Sequence, residues 1–237
     1  MLGDIEDYAL RFMQNNQKLF MFGQAHKSLR CFEDNSKVVA MAPKYQNSRK
    51  GKTVLDDDDI QIVHTPTPVK FPRFTKPIIC VSAGSAHVLA LTLEQEMFSW
   101  GEGSYGALGF GSADDVCSPK RLDLYDHQNK LHRVMQISCG KCHSMCLTST
   151  HNIFAWGEGG HGRLGHNDEH GQVERYPKEI YTLSQRKPIF ISAGESHSAA
   201  ITEKHKLFTW GNGAFGRLGH GTDLKQIAPK QVESLSK

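Results

Sequence analysis

The densest set of reactive side chains is Cys139-x-x-Cys142-His143-x-x-Cys146. Thiolate and imidazole are zinc ligands, and the first Cys pair has the spacing of a zinc knuckle. Two sister segments argue against a metal. They carry Ala83 and Ala193 where this one has Cys139, and Ala90 and Ala200 where it has Cys146. Positions that accept Ala are small and buried, and there a free Cys acts as a compact hydrophobe. The expectation is reduced thiols, with no metal and no cofactor.

His87, His143 and His197 recur beside Ser or other small residues. An imidazole next to a hydroxyl is the raw material of a nucleophile and its base. However, no G-x-S-x-G elbow and no recurrent Ser–His–Asp order accompanies them. Three equivalent histidines point to one shared structural hydrogen bond, such as a ring nitrogen bracing the turn at the preceding Gly. A third candidate chemistry is G-x-G-x-x-G at Gly101-Gly103-Gly106, which recurs twice more. A dinucleotide site needs a helix after that pattern and an acidic residue about 20 positions on. Here the glycines lead to Gly, Asp and His and then to Pro119, Pro177 or Pro229, which excludes a helix. The chain therefore reads as a protein without catalytic residues.

The elements that hold these residues are repeats. FSWGEGSYGALGFG (98–111), FAWGEGGHGRLGHN (154–167) and FTWGNGAFGRLGHG (208–221) are one phrase written three times, 56 and 54 positions apart. Such spacing marks an array of supersecondary units. In each, Phe-x-Trp alternates as in a short buried strand that stops at Gly101, Gly157 or Gly211. Matched glycines then form a tight loop. Leu108, Leu164 and Leu218 are the apolar residues shared inside it, each a peg that seals one unit against the next. Upstream lie VSAGSAHVLALT (81–92), ISCGKCHSMCLT (137–148) and ISAGESHSAAIT (191–202); downstream each unit closes on Pro-Lys. Apolar alternation between glycines and polar turns predicts antiparallel hairpins, about four strands per unit, which is one propeller blade.

The clean units are 76–130, 131–185 and 186–237. Residues 1–30 read as a degenerate copy, since KLFMFG (18–23) matches KLFTWG (206–211). Residues 31–75 read as an irregular insertion that ends in the start of the next blade. Lys44 to Lys52 is basic, Asp56 to Asp59 acidic, and Thr65-Pro66-Thr67-Pro68 comes next, so about 40–65 is expected to be a mobile surface loop. With 237 residues and a formal charge of +3, the balance is too mild to imply nucleic acid by itself; the basic stretch reads as a solvated loop, the alternatives being a targeting signal or a nucleic-acid contact. The six cysteines suit reduced thiols, and no apolar run approaches the ~20 residues of a membrane helix. The expected setting is intracellular, cytoplasmic or nuclear, with no membrane partner.

Non-repeating positions are where recognition is expected. After the Leu-Gly pair the units diverge into Asp114 and Asp115, then Asp168, Glu169 and His170, then Asp223. Arg163 and Arg217 replace Ala107 and are read as pairing with those acids or facing a partner.

Gly84-His87-Ala90-Leu91, Gly140-His143-Cys146-Leu147 and Gly194-His197-Ala200-Ile201, with Trp100-Gly101, Trp156-Gly157 and Trp210-Gly211, resemble the regulator of chromosome condensation repeat. Its repeats carry a GxxHxxAL element, a Trp-Gly pair and a GxLGxG loop. The resemblance implies an all-β propeller of about seven blades. This chain holds three to four of them, as an incomplete ring or part of a larger one. It further implies a non-catalytic protein-interaction module that binds through loops on one face. Two alternatives come with it: an exchange factor for a Ran-like small GTPase, or the substrate-recognition segment of a larger ubiquitin ligase or kinase. The partner is then a small GTPase or another domain of a longer parent chain.

Overall fold

The computed structural model describes residues 20–26, 60–69, 71–72, 76–125 and 130–235. Three four-stranded antiparallel sheets succeed one another along the chain, each with its strands in sequence order. The first blade is β3 (Ile78–Ala83), β4 (His87–Thr92), β5 (Met97–Gly101) and β6 (Val116–Leu122). The second is β7 (Val134–Cys139), β8 (His143–Thr148), β9 (Ile153–Gly157) and β10 (Glu174–Glu179). The third is β11 (Pro188–Ala193), β12 (His197–Thr202), β13 (Leu207–Gly211) and β14 (Gln226–Gln231). One short helix, α1 (Tyr181–Ser184), joins the second blade to the third.

Register repeats with the sequence. The repeat histidine faces the glycine of Trp-Gly in every blade: His87↔Gly101, His143↔Gly157 and His197↔Gly211. At that crossing Gly157 has φ 105°, and a Cβ there would lie 2.5 Å from the Cys142 carbonyl oxygen, so glycine is required. Pro119, Pro177 and Pro229 all lie on the outermost strand, where a missing N–H breaks no ladder bond.

The core lies between blades. Leu89, Leu91, Met97 and Leu122 of the first blade pack with Ile137, Cys139, Cys146, Phe154 and Trp156 of the second. Met145, Leu147 and Ile153 of the second pack with Ile191, Ala200, Phe208 and Trp210 of the third, and Leu164 seals that seam. At both of these junctions the following blade turns its Phe-x-Trp face, and the leading blade an aliphatic face, to the seam. At about 25 cal/mol per Å² and 150–250 Å² per aromatic side chain, each buried indole contributes ~4–6 kcal/mol.

Ahead of the first blade, β1 (Phe20–His26) pairs with β2 (Ile60–Pro68). Phe20↔Pro68 and Gly23↔Val63 repeat the pairing Phe98↔Arg121 and Gly101↔Val116, with the register shift at the same step. The pair therefore occupies the third and fourth strand positions of a unit. This corrects the expected loop over 40–65 at its end: residues 60–65 are strand. The prolines that suggested a mobile loop are edge-strand prolines, Pro66 standing where Pro119 stands in β6. The basic stretch, Asp56 to Asp59 and the remainder of 1–19 and 27–59 lie outside the described residues.

Candidate partner-binding face

All glycine loops emerge on one side of the blades. Where β5 ends, the Glu102 N–H donates to the Ala86 carbonyl at 2.7 Å, so loop and β3–β4 turn run side by side. Glu158 with Cys142, and Asn212 with Ser196, repeat that bond at 2.9 Å. The tight turns at 93–96, 149–152 and 203–206 lie on the opposite side.

Each loop is tied down by a carboxylate. Asp115 accepts from the Gly103 N–H at 2.9 Å and Asp223 from the Gly216 N–H at 2.8 Å. Asp168 accepts from the N–H groups of Gln172 at 2.8 Å and His170 at 2.9 Å, and these bonds hold its carboxyl below the usual aspartate range. These three acids brace their loops. Asp114, Glu169 and His170 lie exposed beside them.

The expectation that Arg163 pairs with the loop acids or faces a partner is corrected, since it does neither. It is 4% exposed, with Nη1 on Glu158 at 2.9 Å and Nε on the Gly160 carbonyl at 2.8 Å. A buried guanidinium needs such partners, and Glu158 is the carboxylate its loop places nearest. Arg217 is half-exposed, its Nε donating to the Ala214 carbonyl at 2.8 Å and its guanidinium lying over the Phe215 ring.

The loop tips carry residues that the motifs alone do not single out. Tyr105, His161 and Phe215 occupy one equivalent position between matched glycines, and all three are exposed, Phe215 at 92%. His161 and Phe215 have φ of 62° and 61°, a left-handed conformation costing about 1–2 kcal/mol for a side chain of that bulk. A ring in every copy between matched glycines was the available signal. Below them the turns at Gly84–Ala86, Gly140–Cys142 and Gly194–Glu195, with Glu102 and Tyr105, line an open depression of about 840 Å³. A Lys141–Glu195 ion pair of 2.8 Å spans two of those turns.

The repeat histidines lie one layer further in, between blades. His87 Nε2 is 2.9 Å from Ser144 Oγ, and His143 Nε2 is 3.0 Å from Ser198 Oγ. Each serine donates its own proton to a loop carbonyl, Ser144 to Ala107 and Ser198 to Arg163, both at 2.8 Å. Each must therefore accept from the imidazole, which fixes the Nε2–H tautomer. The Trp156 and Trp210 indole N–H groups donate to the same two carbonyls, at 2.8 and 3.0 Å. This corrects the expected brace: the ring bonds the next blade rather than the preceding turn. The preceding glycine makes room instead, since a Cβ on Gly140 would lie 2.1 Å from the His143 ring.

These pairs are not poised for nucleophilic chemistry. Burial lowers the pKa of His87 to about 4 and of His143 to about 3, so neither ring is a good base near neutrality. Both serines are completely buried, and no group among the described residues orients His143 Nδ1. The cysteines are likewise engaged separately. Cys146 sits in the apolar seam, where burial raises its pKa, and Cys139, pushed up to about 12, donates to the Ser82 carbonyl at 3.2 Å. Cys142 is half-exposed at the depression. Among the described residues no cluster of His, Cys, Asp and Glu is placed to hold a metal ion.

The regulator of chromosome condensation (RCC1) repeat matches residues 94–147, 151–201 and 204–237, more than half of the chain. The chain belongs to this family. A second description of the repeat matches 78–107, 134–163 and 189–217. Human E3 ubiquitin-protein ligase HERC2 is 33% identical over 160 residues, covering 67% of this chain and 3% of that protein. The probable E3 ubiquitin-protein ligase HERC4 of human is 36% identical over 176 residues, 70% of this chain and 16% of that one. The mitochondrial RCC1 domain-containing protein RUG3 of Arabidopsis thaliana is 36% identical over 170 residues, 71% of this chain and 37% of that one. The chain thus spans only a minor part of each of these relatives. Among solved structures, human WBSCR16 superposes with a TM-score of 0.61 at 28% identity, over 72% of this chain and 43% of that one. Yeast RCC1 (Prp20), in its complex with Kap60, superposes with 0.60 at 22% identity, over 73% and 39%. Within the RCC1 family, then, this chain is an arc of blades whose loops share one face. No helix of the described residues is long and apolar enough to cross a membrane.

Proposed function

We propose that the loop face is a protein-recognition surface. The observation that carries this reading is Phe215, held at φ 61° while 92% exposed. Strain retained at a ring left almost wholly exposed by the described residues is better explained by contact with a partner than by folding. Tyr105 and Leu224, 46% and 69% exposed, extend the apolar part, and Asp114, Glu169 and His170 provide a polar rim. A centre of rings within polar residues is the composition of interface hot spots. Asp115, Asp168 and Asp223 act on this surface indirectly, by bracing the loops.

The test is quantitative affinity capture by the full chain. Y105S with F215S should deplete specific partners at least tenfold, and D114A with E169A several-fold, with the urea midpoint nearly unchanged. Partners kept by both double variants would rule the face out.

A second reading is favoured by the HERC relatives, whose similarity to this chain is confined to a small fraction of their length. In it the loop face selects substrates for a ubiquitin ligase. Captured partners would then be ubiquitylated in cells in a manner that F215S abolishes. The exchange-factor reading is separable, because it requires faster release of labelled GDP from a Ran-like GTPase at micromolar chain.

A further inference from the structure

The outermost strand of every blade bulges in its middle. In β6 three residues, Cys117 to Pro119, stand opposite the single Trp100, because Gly101 pairs with Val116 and Ser99 with Lys120. Residues 175–177 of β10 and 227–229 of β14 repeat that bulge, and each of the three ends on its proline. Bulged residues leave the ladder, and the outer edge of β6 pairs with no described strand.

The residue ahead of the proline is not shared. It is Ser118 in the first blade, Tyr176 in the second and Ala228 in the third. Since a phenol and a methyl group serve there as well, the fold does not require the Ser118 hydroxyl, which is exposed. Three positions further on the first blade alone carries a cation, Arg121, where the others have Glu179 and Gln231. Ser118-Pro119-Lys120-Arg121 thus places a hydroxyl, an imino acid and two exposed cations along one strand edge.

We propose that Ser118 is a phosphorylation site for a proline-directed kinase that also selects a basic residue three positions on. Such an enzyme takes its substrate as an extended chain, and proline in the next position brings no N–H that would be left unpaired in the cleft. Ser118 Oγ attacks the γ-phosphorus of MgATP and its proton passes to the catalytic aspartate of the kinase. The new bond is Oγ–P, the bond broken is that to the bridging oxygen, and ADP leaves. Pro119 is buried, so β6 must lift first, and its bulge and open edge make that a local event. Arg121 gives up only exposed pairs with Glu96 and Asp123, which hold weakly against water.

The strand can close again over the product, since the same position holds the larger, exposed Tyr176 in the second blade. The phosphate then adds about two negative charges two residues from Lys120. Lys120 Nζ lies 4.4 Å from the centre of the Phe110 ring, and Phe110 packs on the seam between the first and second blades. Pairing with the phosphate draws the ammonium off that ring, so the added charge acts on the glycine loop of the first blade.

The test treats the full chain, and separately a free peptide of residues 112–124, with a purified cyclin-dependent kinase and MgATP, and locates phosphate by tandem mass spectrometry. Ser118 is the one serine of the chain that precedes a proline, so its product is distinct from any at Thr65 or Thr67. Both substrates should acquire phosphoserine at 118, the peptide faster. S118A should abolish it, R121Q should slow it about tenfold, and R121K should restore most of the rate. A merely structural Arg121 would do the opposite, since loosening β6 would speed the reaction. In the modified chain the Phe110 ring resonances should shift, and K120Q should remove most of that shift. Phosphate on threonine alone, none on Ser118 of the full chain, or an R121Q rate equal to the parent's would overturn the site; unmoved Phe110 resonances would overturn the role of Lys120.

Discussion

At the scale of single residues, the decisive feature is that two imidazoles are held neutral between blades. His87 and His143 titrate in the fold near about 4 and about 3, against an ordinary 6.5. A histidine with a depressed folded pKa stabilises the fold fully above its unfolded pKa. As pH falls below 6.5 the unfolded chain binds protons that the folded chain refuses, and stability declines until the folded pKa is reached. The urea midpoint should therefore be level above pH 7 and fall between about pH 6.5 and 4. The slope should be at most about 1.4 kcal/mol per pH unit for each histidine. H87Q with H143Q should flatten that segment; an unchanged slope would mean that other groups control it. The histidine period was legible in the sequence, but its partner was not, because Ser144 and Ser198 lie 57 and 55 positions away on the next blade. Arg163 misled for a related reason: a charged residue in a polar loop looks external until Glu158 is seen to hold it inside.

At the scale of elements, the glycine loop is shaped by the neighbouring blade packed against it. Gly162 and Gly216 occupy the same loop position with φ of 78° and 67°. A Cβ at Gly162 would sit 2.6 Å from Ile227 Cα, whereas one at Gly216 meets nothing within 4 Å. G216A should cost about 1 kcal/mol, the left-handed penalty alone, and G162A about 2–4 kcal/mol, because β14 must also move. Equal losses in chemical denaturation would contradict the packing of β14 on that loop. Strand pairing was readable from alternation and from the Phe-x-Trp and Pro-Lys marks. β2 escaped because its two prolines and neighbouring charges resemble a mobile loop, and only its register with β1 identifies it as an edge strand. The loop-tip rings escaped as well, since Tyr105, His161 and Phe215 differ in chemistry and share only a ring and a loop position.

At the scale of the molecule, the three blades interlock as one arc whose loops share one face, the surface we propose for recognition. The propeller type was legible because a repeat states its junction several times over. What the arc binds was not, because the loop acids that we propose for its polar rim differ from unit to unit. Adjacent blades are joined by the hydrogen-bond chain from imidazole to serine to carbonyl. A double-mutant cycle of H143A and S198A, measured by urea unfolding, tests this most directly. A coupling of about 1–2 kcal/mol is expected between these residues of neighbouring blades. Additive losses, with coupling below about 0.3 kcal/mol, would contradict it.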